Sequence, residues 1–233
     1  MTALGYRNSD FLFSDRLIFV EGPSDQATLP VILRKLNKIE PAAVESIGFP
    51  IVRGVPGAGK PGSGKKNVAS LQNSINRCEE FMMQMSRQAV PHSYLFDGDF
   101  QQEEKQQLEA TAGGTLQIRF LARKELENYL LEPKALARVI KGEMDLFGIL
   151  QPSPTPEEIE SLVWKLLGKT PDNASLSELS AGIKGSEILT GLFDTFTLPY
   201  DKIRHAKLIA EFIEDPGKAD WEEIWFTLSD CLQ

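Results

Sequence analysis

Residues Arg16 to Pro30 read RLIFVEGPSDQATLP. A short apolar run, Leu17-Ile18-Phe19-Val20, ends abruptly in an acidic residue, Glu21. Gly22-Pro23 breaks the strand, and Ser24 is placed to cap a helix beginning at Asp25. Glu21 is therefore expected at the carboxyl end of a strand buried on both faces, and Asp25 in the first helical turn. Far downstream, Ser93-Tyr94-Leu95-Phe96 ends the same way, in Asp97-Gly98-Asp99. Open α/β sheets gather ligands at the carboxyl ends of their strands. Glu21, Asp25, Asp97 and Asp99 are thus expected to meet at one edge of one sheet. Ordinary turns and helix starts would account for Asp25 and Asp99, but not for Glu21 and Asp97, each of which closes an apolar strand.

Working outward, Leu29, Ile32, Leu33 and Leu36 form one apolar face of a helix, with Pro30 expected near its first turn. A second strand is expected from about Glu45 to Val52. The glycine-rich stretch Arg53–Lys66 twice matches the first part of a phosphate-binding P-loop. Pro61 and Lys66 stand where that loop needs a Ser or Thr hydroxyl for Mg²⁺. Pro61 also prevents the loop from running into a helix, so ATP binding is excluded. Four cations in a stretch without acids, Arg53, Lys60, Lys65 and Lys66, suit a basic flap that meets phosphates.

Asn67 is placed to cap a helix running to about Arg87. Residues 101–110 read as a polar helix, and Thr115–Leu121 as a further strand. Arg123 to Tyr129 is expected to open the next helix, with Glu125 and Glu127 on different sides of it. Beyond Pro133 the chain reads as helices over 133–141, 156–168, 184–196, 201–214 and 220–232. Trp164, Trp221 and Trp225 are its expected core anchors. His92 and His205 read as packing or surface residues.

The composition is ordinary for a globular protein, with 42% hydrophobic and 25% charged residues. Cys78 and Cys231 form no metal spacing, and the expectation is a reduced cytoplasmic protein without a secretory signal or membrane span. Net charge is −8, made of +3 over residues 1–90 and −11 over residues 91–233. That balance argues against tight nonspecific coating of DNA. It leaves room for an acidic metal site beside a local basic track.

Glu21 after the first strand and Asp97-x-Asp99 after a later one resemble the TOPRIM domain. The phrase FLFSDRLIFVEGPSD at 11–25 is similar to the TOPRIM half of the OLD (overcoming lysogenization defect) family nucleases, and KELENYLL at 124–131 resembles that family and the related standalone phage-defence TOPRIM nucleases. The resemblance covers most of residues 11–132. It implies an α/β TOPRIM core, a central, largely parallel sheet of about four strands flanked by helices, over residues 1–132. A helical C-terminal region, 133–233, would pack back on it.

The resemblance further implies a Mg²⁺-dependent endonuclease, with Mn²⁺ as a substitute and two ions about 4 Å apart. Asp97 and Asp99 would hold metal, and Glu21 and Asp25 would complete the shell, Glu21 alternatively serving as general base. Of Glu125 and Glu127, it favours Glu127 as the metal-facing residue. It selects Lys202, over Lys207, as the lysine returning to the site to stabilise negative charge. The implied partners are nucleic acid, DNA favoured and RNA possible, and an ATPase that this stretch of sequence lacks. Topoisomerase and primase readings lack their tyrosine context and zinc-binding domain. The alternative is a non-catalytic TOPRIM module that binds an ATPase as sensor or scaffold.

Overall fold

Strand β1, Leu17–Val20, buries all four residues, two on each side of a parallel sheet. Leu17 and Phe19 join an apolar cluster with Leu71, Ile75 and Met82 on one face. Ile18 and Val20 join a separate cluster with Leu29 and Ile32 on the other. This two-sided burial is why the strand is apolar without alternation. The computed structural model describes residues 17–39, 51–55, 68–85, 92–111, 117–169, 176 and 182–232.

Helix α1 spans Pro23–Ile39, followed by β2 (Ile51–Gly54), α2 (Val68–Met85), β3 (His92–Phe96), α3 (Gln102–Thr111) and β4 (Gln117–Phe120). The strand order is β2-β1-β3-β4, and every pairing is parallel. Val20 lies opposite both Gly54 and Leu95, and Phe96 opposite Phe120. The chain therefore leaves all four strands along one edge.

After a 3₁₀ turn at Leu126–Tyr129 come α4 (Pro133–Leu146), α5 (Pro156–Leu166), α6 (Gly185–Thr195), α7 (Lys202–Phe212) and α8 (Trp221–Leu232). Their starts follow capping chemistry. Glu132 accepts from Ala135 N–H, Thr155 and Glu158 form a capping box, and Asp201 accepts from Arg204 N–H. Their buried residues, including Leu136, Val163, Leu192, Ile209 and Leu228, share one cluster with Ile18, Val20 and α1. Helices α2 and α3 supply the opposite layer through Leu71, Ile75 and Leu108. Trp164 and Trp221 are buried and Trp225 packs at the margin. His205 is buried against Phe193.

Four expectations need correction. The first helix begins at Pro23, and Gly22 occupies the cap, because Asp25 Oδ2 accepts from Gly22 N–H at 3.0 Å. Ser24 lies inside the first turn and does not cap. Pro30 consequently falls inside the helix, where it removes one backbone hydrogen bond. The described part of the second strand is Ile51–Gly54, so Arg53 belongs to the strand, opposite Phe19; residues 40–50 lie outside the described residues. Arg123–Tyr129 contains a single 3₁₀ turn, with the α-helix delayed to Pro133.

Candidate functional site

The exit of β3 is locked to the exit of β4. Leu121 N–H donates to Phe96 O at 2.8 Å, and Gly98 N–H to Arg123 O at 3.0 Å. A Cβ on Gly98 would lie 2.3 Å from Arg123 O and 2.4 Å from Leu121 O. Only glycine lets the Asp97-Gly98-Asp99 turn lie against the strand of chain that leads to Glu125 and Glu127.

That segment is held from beneath. Arg123 is buried, bonded to Asp220 at 2.7 Å, paired with Glu223 at 3.3 Å and stacked over the Tyr129 ring. Trp221 Nε1–H donates to Tyr129 O at 2.9 Å. Asn128 Oδ1 accepts from Glu125 N–H and Gly185 N–H, at 3.0 and 3.2 Å. These bonds close the 3₁₀ turn and dock the start of α6 on it, which explains why no α-helix propagates there. Gly185 permits the contact, since a Cβ would meet Asn128 N at 2.4 Å.

Glu127 is 1% exposed and faces the β1 exit. Its Oε1 accepts from Ser24 Oγ–H at 2.7 Å, and its Oε2 lies 3.3 Å from Lys202 Nζ. Burial lowers the proton affinity of Lys202, but Glu127, Glu125, Asp97 and Asp25 together raise it well above the ordinary lysine range. Lys207 points elsewhere, pairing with Glu211 at 3.7 Å on the same helix.

Asp25 shows the opposite balance. Burial, reinforced by Glu127 and then Glu21, pushes its carboxyl up to about 7, against the pull of Lys202 and of Gly22 N–H. Glu125 is tied to α6, with Oε2 accepting from Ser186 N–H at 3.0 Å and from Ser186 Oγ–H at 2.6 Å. Burial tends to raise its pKa, but Lys202, the Ser186 donors and Lys184 outweigh it and leave it below the ordinary range. Lys184 Nζ lies 3.7 Å from Glu125 Oε1 and 3.8 Å from Asp99 Oδ2.

No family model, curated protein or solved structure matches the chain. Asp25, Glu127 and Lys202 lie together, Glu21 adds to the negative field at Asp25, and Asp97 adds to the field at Lys202. Asp99 meets Lys184. Arg53 occupies β2. Lys60, Lys65 and Lys66 lie outside the described residues.

The sequence reading missed Lys184, the Ser24–Glu127 bond and Tyr200, whose buried phenol is pushed up by burial and then by Glu127 and Glu125. It also passed over Glu125. Glu125 caps the 3₁₀ turn, and its partner Ser186 lies 61 residues away, so no local signal marks it.

The donor set is all carboxylate oxygen, which suits a hard divalent cation, and burial followed by Glu127 penalises the charged form of Asp25, a penalty a cation would offset. Among the described residues no group of three or more His, Cys, Asp or Glu is arranged to hold a metal. A closed cage is not required for Mg²⁺, which keeps several waters and often uses one or two carboxylates plus substrate phosphates. Among the described residues no helix is long and apolar enough to cross a membrane.

Proposed function

We propose that this chain is a metal-dependent endonuclease of the TOPRIM kind, hydrolysing phosphodiester bonds. It would act in the cytoplasm as a phage-defence effector coupled to an ATPase, on DNA by preference and on RNA as the second candidate. One observation carries the reading. Adjacent parallel strands β1 and β3 end in Glu21 and Asp97 on the edge where Asp25, Glu127 and Lys202 converge.

Asp97 and Asp99 would hold the divalent cation, with Glu21, Asp25 and Glu127 completing its surroundings. When bound, that cation supplies Lewis acidity and neutralises charge at phosphorus. Glu21 is the candidate to accept the proton of the attacking water. Lys202, kept cationic by the surrounding acids, is placed to stabilise negative charge developing on a phosphoryl oxygen. Burial and the neighbouring acids favour the protonated form of Asp25 in the cation-free protein, and cation loading would favour its release of that proton.

A second reading has its own support. Lys184 and Lys202 already neutralise part of the acidic set, as in a non-catalytic TOPRIM module that binds an ATPase. Incubating the chain with plasmid DNA and with structured RNA, in Mg²⁺, Mn²⁺ or EDTA, separates the two. The nuclease reading expects cleavage that EDTA abolishes. Intact substrates under every condition, including with the ATPase present, would leave the binding module.

A further inference from the structure

Lys184 takes no part in the hydrolytic reading above, yet its backbone is placed with unusual care. Gly185 N–H donates to Asn128 Oδ1 at 3.2 Å, and Asn128 Nδ2–H donates to Ile183 O at 2.7 Å. Ser186 donates twice to Glu125 Oε2. The residues on both sides of Lys184 are thus pinned to the turn that carries Glu125 and Glu127. From there the ammonium reaches between two acids of different standing. Glu125 stays anchored by Ser186 whatever the lysine does. Asp99 belongs to the Asp97-Gly98-Asp99 turn of the proposed cation site.

The ammonium is 3.7 Å from one acid and 3.8 Å from the other, longer than a direct N–H···O bond of roughly 2.7–3.2 Å. It is shared between them, and a small rotation would deliver it to either. Its side chain is 42% exposed, against 14% for Asp99 and 7% for Glu125, so it can move while the acids stay.

We infer that Lys184 is a built-in counter-cation: it neutralises Asp99 in the cation-free protein, is displaced when a divalent ion loads, and is then kept by Glu125. The inference rests on the reading that Asp97-x-Asp99 holds a divalent cation. A fixed positive charge about 4 Å from a ligand oxygen repels an incoming cation, and with the lysine partly in water the cost corresponds to roughly five- to tenfold in affinity. Lys184 thereby sets the cation concentration at which the site loads. It is a positioning and tuning residue, distinct from Lys202, which is paired with the buried Glu127.

The test is calorimetric titration of the full chain with Mn²⁺ at low ionic strength. Lys184→Met should bind Mn²⁺ about five- to tenfold more tightly than wild type, and the gain should shrink in high salt. Lys184→Arg, which keeps the charge, and Lys207→Met, on the far side of α7, should bind as wild type does. Lys184→Gln serves as a second neutral variant should the methionine protein fail to fold. Equal or weaker Mn²⁺ binding by a folded neutral variant overturns the counter-cation role and leaves the nuclease reading standing. Absence of saturable Mn²⁺ binding in wild type and neutral variants alike overturns both.

Discussion

The two ends of β3 carry half-buried acids in opposite states. At its amino end, Glu79 Oε1 lies 2.7 Å from His92 Nε2 and accepts from Tyr94 Oη–H at 2.8 Å. Burial alone would raise the Glu79 pKa, but the bonds from His92 and Tyr94 prevail and hold it below the ordinary range. At the carboxyl end, burial raises Asp25, and the neighbouring acids raise it further, to about 7. Burial raises both carboxyls; at Glu79 the donors outweigh it, and at Asp25 the neighbouring acids add to it. An acid matched by donors belongs to the architecture. Acids set against acids are shifted upward instead, and such perturbed groups gather at functional sites.

Four measurements probe the difference between the two ends of β3. The largest effect is expected at Gly98, whose substitution would drive a Cβ into two backbone carbonyls. Gly98→Ala should destabilise the fold by about 3 kcal/mol or more in urea unfolding. Gly142→Ala is its control. No atom lies within 4 Å of that added Cβ, and α4 should gain up to about 1 kcal/mol. Equal stability of the two variants would remove the claim that the Asp97–Asp99 turn is locked onto the β4 exit.

Next comes the choice between lysines. Lys202→Ala should slow single-turnover cleavage by about 10²-fold, the scale of losing one electrostatic donor. Lys207→Ala should stay near wild type, since Lys207 pairs only locally with Glu211. The reverse outcome would mean that α7 presents a different face to the site.

Two smaller effects should have opposite signs with pH. The folded-state pKa of Glu79 is depressed, so its stabilisation is present above the unfolded value of about 4 and is lost as pH falls through the folded value. Glu79→Gln should therefore cost about 1–2 kcal/mol at pH 7 and progressively less in acid. The folded-state pKa of Asp25 is raised, so the metal-free protein loses stability as pH climbs from about 4 through about 7. Asp25→Asn should remove that loss and stabilise the metal-free protein by about 1 kcal/mol at pH 8, with little change at pH 4. Parallel pH profiles for the two variants would erase the distinction between the ends of β3.

Much of this arrangement is legible in local sequence. Leu17–Val20 and Ser93–Phe96 are short apolar runs closed by acids, and neither needs a distant partner to be read as a buried strand. Several helix starts are equally local, because Thr155 with Glu158, Pro133, and Asp201 carry their caps within one turn. The failures share a cause. Ser24 looks like a cap in isolation, but its hydroxyl is used by Glu127, 103 residues away. The segment at 123–129 has helical composition, yet Asn128 spends its side chain on Glu125 and on the start of α6. Lys184 follows a connector and gains its meaning only when α6 docks beside Asp99 and Glu125. Lys202 was separable from Lys207 only through a resemblance, because both lie on the same helix.

If the carboxyl edge of β1 and β3 hydrolyses phosphodiesters with a divalent cation, Asp97 is indispensable to that reaction. Single-turnover cleavage of DNA and RNA by wild-type and Asp97→Ala protein, at saturating Mg²⁺, tests it most directly. Wild type should cleave in a Mg²⁺-dependent way, and Asp97→Ala protein with unchanged melting temperature should lose about 10³-fold or more. Equal cleavage by the folded variant would contradict it.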